Sequence, residues 1–280
     1  MKKVIAVSGG IDSVTLLHIY RDDPDTIVAH FDHGIRPNSA DDQAFVRELA
    51  QSYGLPFETG NAHLGSSASE AEARQARYAF LNSVCNRYGG RLYVAHHLDD
   101  VFESIAINCL RGTGWRGLAP FRNRAIERPL IAWRKSDIYR YAAKHQLRFR
   151  QDQTNTEEDY LRNRVRMALM YADENQKAQL SQLYNRQCEI AEEVEGIIDG
   201  HLADGEQHYS RTIIRQLDDA LAVELLRDLL LRYQISQTRP QLKRAIAAIR
   251  SYLPNKQFPL GKDSYIRIAK YHFSIKKNAS

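Results

Sequence analysis

Val4-Ile5-Ala6-Val7-Ser8-Gly9-Gly10-Ile11-Asp12-Ser13-Val14-Thr15-Leu16-Leu17 decides how this chain reads. Four apolar residues suit a short buried strand, two glycines turn the backbone tightly, and an apolar helical pattern follows at once. A Gly-Gly turn in that setting points successive N–H groups at an oxyanion. Two serine hydroxyls add donors, and the helix aligns its positive end with the same spot. Asp12 supplies an acid able to hold a metal ion. The lysine of G-x-x-x-x-G-K-[ST] is missing, so this is not a Walker cradle. Taken alone, the stretch also suits a bare turn between strand and helix, and its surroundings decide.

On either side of this turn and beyond it, β-rich runs at 4–7, 26–31, 57–59 and 92–95 alternate with helical stretches at 14–20, 39–53, 69–88 and 99–110. The alternation predicts an α/β domain with parallel strands and crossover helices. In an open parallel sheet the ligand crevice lies at the carboxyl ends of the strands. Residues 8–13, Asp32-His33-Gly34 and His96-His97-Leu98-Asp99-Asp100 would all meet there. Past about residue 160 the β signal fades; 161–170, 176–198 and 221–233 read as helices, and 254–275 returns to short alternating segments. A boundary near residue 190 is expected, with a catalytic domain at 1–190 and a smaller, mainly helical domain at 191–280.

In the second cluster Asp99 and Glu103 are spaced i, i+4 and share a helix face, while Asp100 points elsewhere. Acids opening a helix also serve as simple caps. A hard cation on a polyphosphate needs one or two carboxylates and completes its shell with water and phosphate, so Asp12 with Asp99 or Asp100 suits Mg²⁺. Zinc suits the site less, because the adjacent histidines diverge and no third ligand lies at finger spacing. Gly112-Thr113-Gly114-Trp115-Arg116-Gly117 formally matches G-x-G-x-x-G. It follows a helix, and Pro120 stops another from starting, so it reads as a loop for phosphate or substrate closure, not a dinucleotide site.

The 280 residues, 43% hydrophobic, suffice for two packed cores. Net charge is only +5, but residues 111–150 carry eleven Lys/Arg against two acids and residues 239–280 ten against one. Residues 187–238 invert the balance, with four against eleven. Separated basic blocks suit a polyanion. Arg239, Lys243, Arg244 and Arg250 fall on one side of a helix and are expected to hold an RNA backbone. Cys85, Cys109 and Cys188 are dispersed and offer no C-x-x-C, which argues for buried thiols over disulfides or a metal centre. No apolar run approaches ~20 residues and the start is too short for a signal peptide, so a soluble cytoplasmic protein away from membranes is expected.

These residues carry a resemblance. Ser8-Gly9-Gly10-Ile11-Asp12-Ser13 resembles the PP-loop of N-type ATP pyrophosphatases, which cleave ATP between the α and β phosphates. More narrowly, the chain is similar to the tRNA(Ile)-lysidine synthetase family. The similarity runs through Asp32-His33-Gly34-Ile35-Arg36-Pro37, Glu72-Ala73-Arg74 with Arg77-Tyr78, and His96 to Asp100. It continues through Arg111-Gly112-Thr113-Gly114, Arg128-Pro129-Leu130, and residues 152–155 leading to Arg162-Asn163-Arg164-Val165-Arg166, covering 4–166 in order. Val101, Ser104 and Pro120-Phe121 depart from the family's usual Gln, Thr and Gly-Met-like pair.

The resemblance implies an adenine nucleotide alpha hydrolase-like fold. The implied activity is ATP-dependent ligation of free L-lysine to C2 of the wobble cytidine in a CAU anticodon. It implies that Ser8, Gly9, Gly10, Ile11, Asp12, Ser13 and His33 hold ATP with Mg²⁺, and that Asp12, Asp99, Asp100 and Arg74 are catalytic. Arg77, Glu103, Arg111, Asn155, Arg162, Asn163 and Arg166 would contact tRNA or substrate. It further implies a short form with a single tRNA-binding accessory domain, and leaves the oligomeric state open, a homodimer included. A related tRNA thiolation enzyme and a non-catalytic RNA-binding protein stand as alternatives.

Overall fold

The apolar run forms β1 (Lys3–Ala6), and the chain turns through Gly9, at φ 94°, into α1 (Ile11–Ile19). That positive φ is open to glycine and strains any other residue. Then come β2 (Thr26–Asp32), α2 (Ser39–Ser52), β3 (Phe57–Asn61), α3 (Glu70–Tyr88), β4 (Arg91–Tyr93) and α4 (Leu98–Leu110). A short 3₁₀ turn at Trp115–Leu118 leads to β5 (Ile126–Glu127), α5 (Lys135–Lys144), α6 (Glu157–Met170) and α7 (Glu174–His201). The computed structural model describes residues 1–32, 39–62, 70–112, 114–150, 157–201, 208–261 and 263–277. His33 and Asn155 lie outside them.

The chain falls into two compact units, Met1–Cys188 and Glu189–Ser280. In the first, five parallel strands are ordered β3-β2-β1-β4-β5, with Lys3 opposite both Thr26 and Arg91. β1 is central, which explains why its apolar run does not alternate: both faces are covered. Ile5 and Val28 pack under Leu16, Val46 and Ile138 of α1, α2 and α5. Val4 and Ile27 pack with Leu81 and Val84 of α3 on the other face. Each fully buried leucine of this set contributes about 1.5–3 kcal/mol. A parallel sheet of this order reverses its winding between β1 and β4, and ligands bind at such a switch point, beyond the carboxyl ends of the strands.

The second unit holds β6 (Tyr209–Ser210), α8 (Arg211–Gln216), α9 (Asp219–Arg232), α10 (Arg239–Ser251), β7 (Lys256–Pro259), β8 (Ser264–Ile268) and β9 (His272–Lys277). The strands form an antiparallel sheet ordered β6-β9-β8-β7. Leu226 and Leu229 of α9, Ile246 and Ile249 of α10, and Ile266, Ile268 and Phe273 of the sheet share one core. Arg211 is 2% exposed and satisfies its guanidinium on carbonyls: Ile249, Tyr252 at 2.5 Å and Ala269 at 3.1 Å.

Two expectations need correction. Cys109 is exposed near the end of α4, and Cys188 is half-buried, so only Cys85 is a buried thiol. Arg250 does not share the free side of α10. Its guanidinium donates to the carbonyls of Ile214 (3.0 Å) and Leu217 (2.6 Å) and pairs with Asp219 at 2.5 Å. A long stem at a helix end folds back where unpaired carbonyls lie within reach.

Candidate active site

The loop after β1 is held by its own hydroxyls. Ser13 Oγ donates to the carbonyl of Gly10 (2.9 Å) and accepts from the Ser8 N–H (3.1 Å), while the Gly10 N–H donates to Ser8 Oγ at 3.4 Å. The Gly9 carbonyl accepts from the Arg150 N–H at 2.9 Å, and the Arg150 side chain pairs with Asp42 at 2.9 Å. Among the described residues no acceptor meets the N–H groups of Gly9, Ile11, Asp12 and Ser13. Four donors at a helix start, with the helix dipole behind them, form a cradle for a phosphate.

β4, next to β1, delivers the second cluster. His97, 5% exposed, ends the loop into α4, and its N–H donates to Asp100 at 2.9 Å. Its imidazole gathers the acids. Nε2 lies 3.8 Å from Asp12 and 3.6 Å from Asp100, and Nδ1 lies 3.8 Å from Asp99. Nδ1 is buried without a hydrogen bond. Burial pushes the Asp100 carboxyl above the ordinary carboxylate value, against the pull of His97. Asp99 and Asp100 therefore both flank the same ring, although they point apart along the helix.

Lys135 and Arg134, absent from the site expected from the sequence, complete the group. The Lys135 N–H at the start of α5 donates to Asp99 at 2.7 Å, and its ammonium meets Asp12 at 2.5 Å. Arg134 Nε stands 3.6 Å from Asp99. The local signal was the Asp137 cap, which accepts from the Arg134 N–H at 3.0 Å and marks a helix start between the two basic residues.

Glu103, one turn beyond Asp99, is 3% exposed and receives a two-pronged bond from Arg166 of α6, at 2.7 and 3.1 Å, with Arg162 3.7 Å away. This set fastens α6 to α4. Asn163 is half-buried on α6, and Arg111 is exposed at the end of α4. On the far side of His97, His96 stacks on Phe121 (4.4 Å, 29°) and accepts from Arg128 at 3.3 Å. Burial first, then Arg128, Arg74 and Arg77, push the His96 imidazole down to about 3, so it is neutral at physiological pH. Arg74 and Arg77 both lie over the Tyr78 ring. Phe121 sits at φ 64°, a conformation that costs a bulky residue of order 1–3 kcal/mol and that clusters at functional sites.

A family described as a PP-loop domain matches residues 1–173. The chain belongs to the PP-loop domain family. The fold agrees: the U34-tRNA thiolase NcsA from Methanococcus maripaludis superposes on this PP-loop protein with a TM-score of 0.56. The match has 18% identity and covers 69% of this chain and 73% of that one. Curated relatives named tRNA(Ile)-lysidine synthase include one from Thermus thermophilus, 35% identical over 204 residues, covering 70% of this chain and 40% of the relative. Another, from Geobacter sulfurreducens, is 38% identical over 183 residues, covering 60% of this chain and 39% of the relative. The PP-loop chain thus spans about two fifths of the length of these relatives.

The donor set fits Mg²⁺. Hard carboxylate oxygens surround one imidazole, and a cation, the Lys135 ammonium, already sits on Asp12. Among the described residues no three acidic, His or Cys side chains close a metal shell by themselves, so water and phosphate would supply the other ligands. No described helix is long and apolar enough to cross a membrane.

Proposed function

We propose that the chain is an ATP-dependent ligase joining free L-lysine to C2 of the wobble cytidine of a tRNA(Ile) with a CAU anticodon. The observation that carries this reading is the juxtaposition at the switch point of an amide cradle, whose loop lacks the Walker lysine, and three carboxylates around His97, in a chain whose curated relatives bear that name. Cytidine C2=O is a poor leaving group. Its oxygen first attacks the α-phosphate of ATP, releasing pyrophosphate; the ε-amine of lysine then attacks C2 and AMP departs.

The residues divide the work. The free amides of Gly9, Ile11, Asp12 and Ser13 bind phosphate oxygens and stabilise the charge that grows on the departing pyrophosphate. Magnesium would be held by Asp12 with Asp99 and would supply neutralising charge when bound. Asp99 and Asp100 each accept one backbone N–H, but Asp99 also faces Arg134, and Asp100, its carboxyl raised by burial, is the better placed of the two to take the proton lost by the attacking amine. Arg74, Arg77 and Arg128 present cations and ring faces around neutral His96, a surface on which an unpaired base can stack. The second unit, through Arg239, Lys243 and Arg244, holds the tRNA backbone. Incubating the chain with a CAU-anticodon transcript, ATP and labelled lysine tests the reading. Label in the tRNA that depends on ATP is expected, and ATP-independent or absent labelling overturns it.

A further inference from the structure

Lys135 enters the cradle twice. Its N–H is fixed to Asp99 at 2.7 Å, which anchors the root of the side chain at the first turn of α5. Its ammonium reaches Asp12 at 2.5 Å and lies 5.5 Å from the ring of Tyr139, one turn along the same helix. The side chain is about a third exposed, so its four-carbon stem is not locked by packing. A fixed root and a free stem describe a cation able to move a few ångströms without disturbing the helix, with the Tyr139 ring beside it as it stands on Asp12.

A phosphate-bound metal held on Asp12 would share that carboxylate with the ammonium, and two cations repel at such a separation. An incoming polyphosphate changes the balance, because it offers the displaced ammonium new oxygens beside the free amides of the loop. We propose that Lys135 is the exchangeable counter-ion of the cradle: it neutralises Asp12 while nucleotide is absent and passes to the polyphosphate when nucleotide arrives. A divalent ion is then admitted only together with phosphate. Once pyrophosphate leaves, the ammonium returns to Asp12 and disfavours retention of the ion. This inference rests on the ATP reading above.

The test uses the full chain and Lys135→Met, with Mn²⁺ as the probe. Free Mn²⁺ is followed by paramagnetic resonance, with and without a non-hydrolysable ATP analogue. The wild type is expected to take up Mn²⁺ strongly only with the analogue. Lys135→Met should bind Mn²⁺ alone about tenfold more tightly than the wild type and the Mn²⁺-analogue pair about tenfold more weakly. Lys135→Arg, which keeps the charge, should retain exclusion of the bare ion. Unchanged binding of Mn²⁺ alone by Lys135→Met, or parallel weakening of metal and analogue as for a purely structural ion pair, overturns the role of Lys135 alone. Failure of the wild type to bind the analogue overturns the ATP reading and this inference with it.

Discussion

Basic side chains are used in opposite ways in the two units. In the first, three cations of the site face acids: Lys135 on Asp12, Arg134 beside Asp99, Arg166 on Glu103. In the second, Arg239, Lys243 and Arg244 of α10 are exposed with no hydrogen bond or ion pair among the described residues, while Arg211 and Arg250 are turned inward onto carbonyls. Charge counting treats all of these alike. Pairing separates them: paired charges hold a geometry, inward ones hold the fold, and free ones are ready for an outside polyanion.

The severest test of that contrast is Asp12→Asn. Losing this carboxylate should reduce ATP-dependent lysine transfer about 100-fold or more while leaving tRNA affinity within a few-fold. Normal turnover in saturating Mg²⁺ would remove Asp12 from the chemistry. Next in size is Arg211→Met, which strips the donors from three carbonyls at about 1–3 kcal/mol each. Thermal unfolding should shift down sharply, and an unshifted melt would show that these bonds do not hold the second unit together.

A smaller effect belongs to the free cations. Reversing Lys243 and Arg244 to Glu should flatten the salt dependence of tRNA binding by at least about 0.7–0.9 per lost contact, raise the tRNA KM, and leave kcat and the melt unchanged. A lower melting temperature with an unaltered salt slope would move these residues into the structural class. The smallest effect concerns Asp100. Its carboxyl is raised by burial, so the ionised form weighs on the folded chain. That penalty is absent below the unfolded value near about 3.9 and complete above the folded one. Asp100→Asn keeps an acceptor for the His97 N–H and should raise Tm at pH 7 by about 2–4 °C for each kcal/mol recovered. The gain should vanish as pH falls toward 4; an equal gain at both pH values excludes ionisation as its source.

Of the first four strands, β1, β2 and β4 were legible because each couples a short apolar run to a turn, whereas β3 offers only Phe57 and showed weakly; all four lie within a residue or two of their expected places. β5, two residues long, has no period to read. In the same way, the cluster around His97 was visible as a motif, but Lys135 was not: a lysine in a basic block carries no sign that a register more than a hundred residues away will set it on Asp12. The turn at Phe121 showed only as a departure in residue type, since backbone strain depends on packing. Arg250 misled because helical spacing predicts where a Cβ points and not where a long flexible stem ends.

The Gly9 carbonyl is tied to the N–H of Arg150, 141 positions later. The loop after β1 is therefore completed by a residue that follows α5, far along the same unit. A nascent chain holding only the first strands and helices can form β1 and α1, but it lacks the closure that fixes the peptide of Gly9. Closing so long a loop is slow in chain entropy yet adds little to its final cost. The turn at Gly9 thus gains this closure only once the chain through Arg150 has folded onto it.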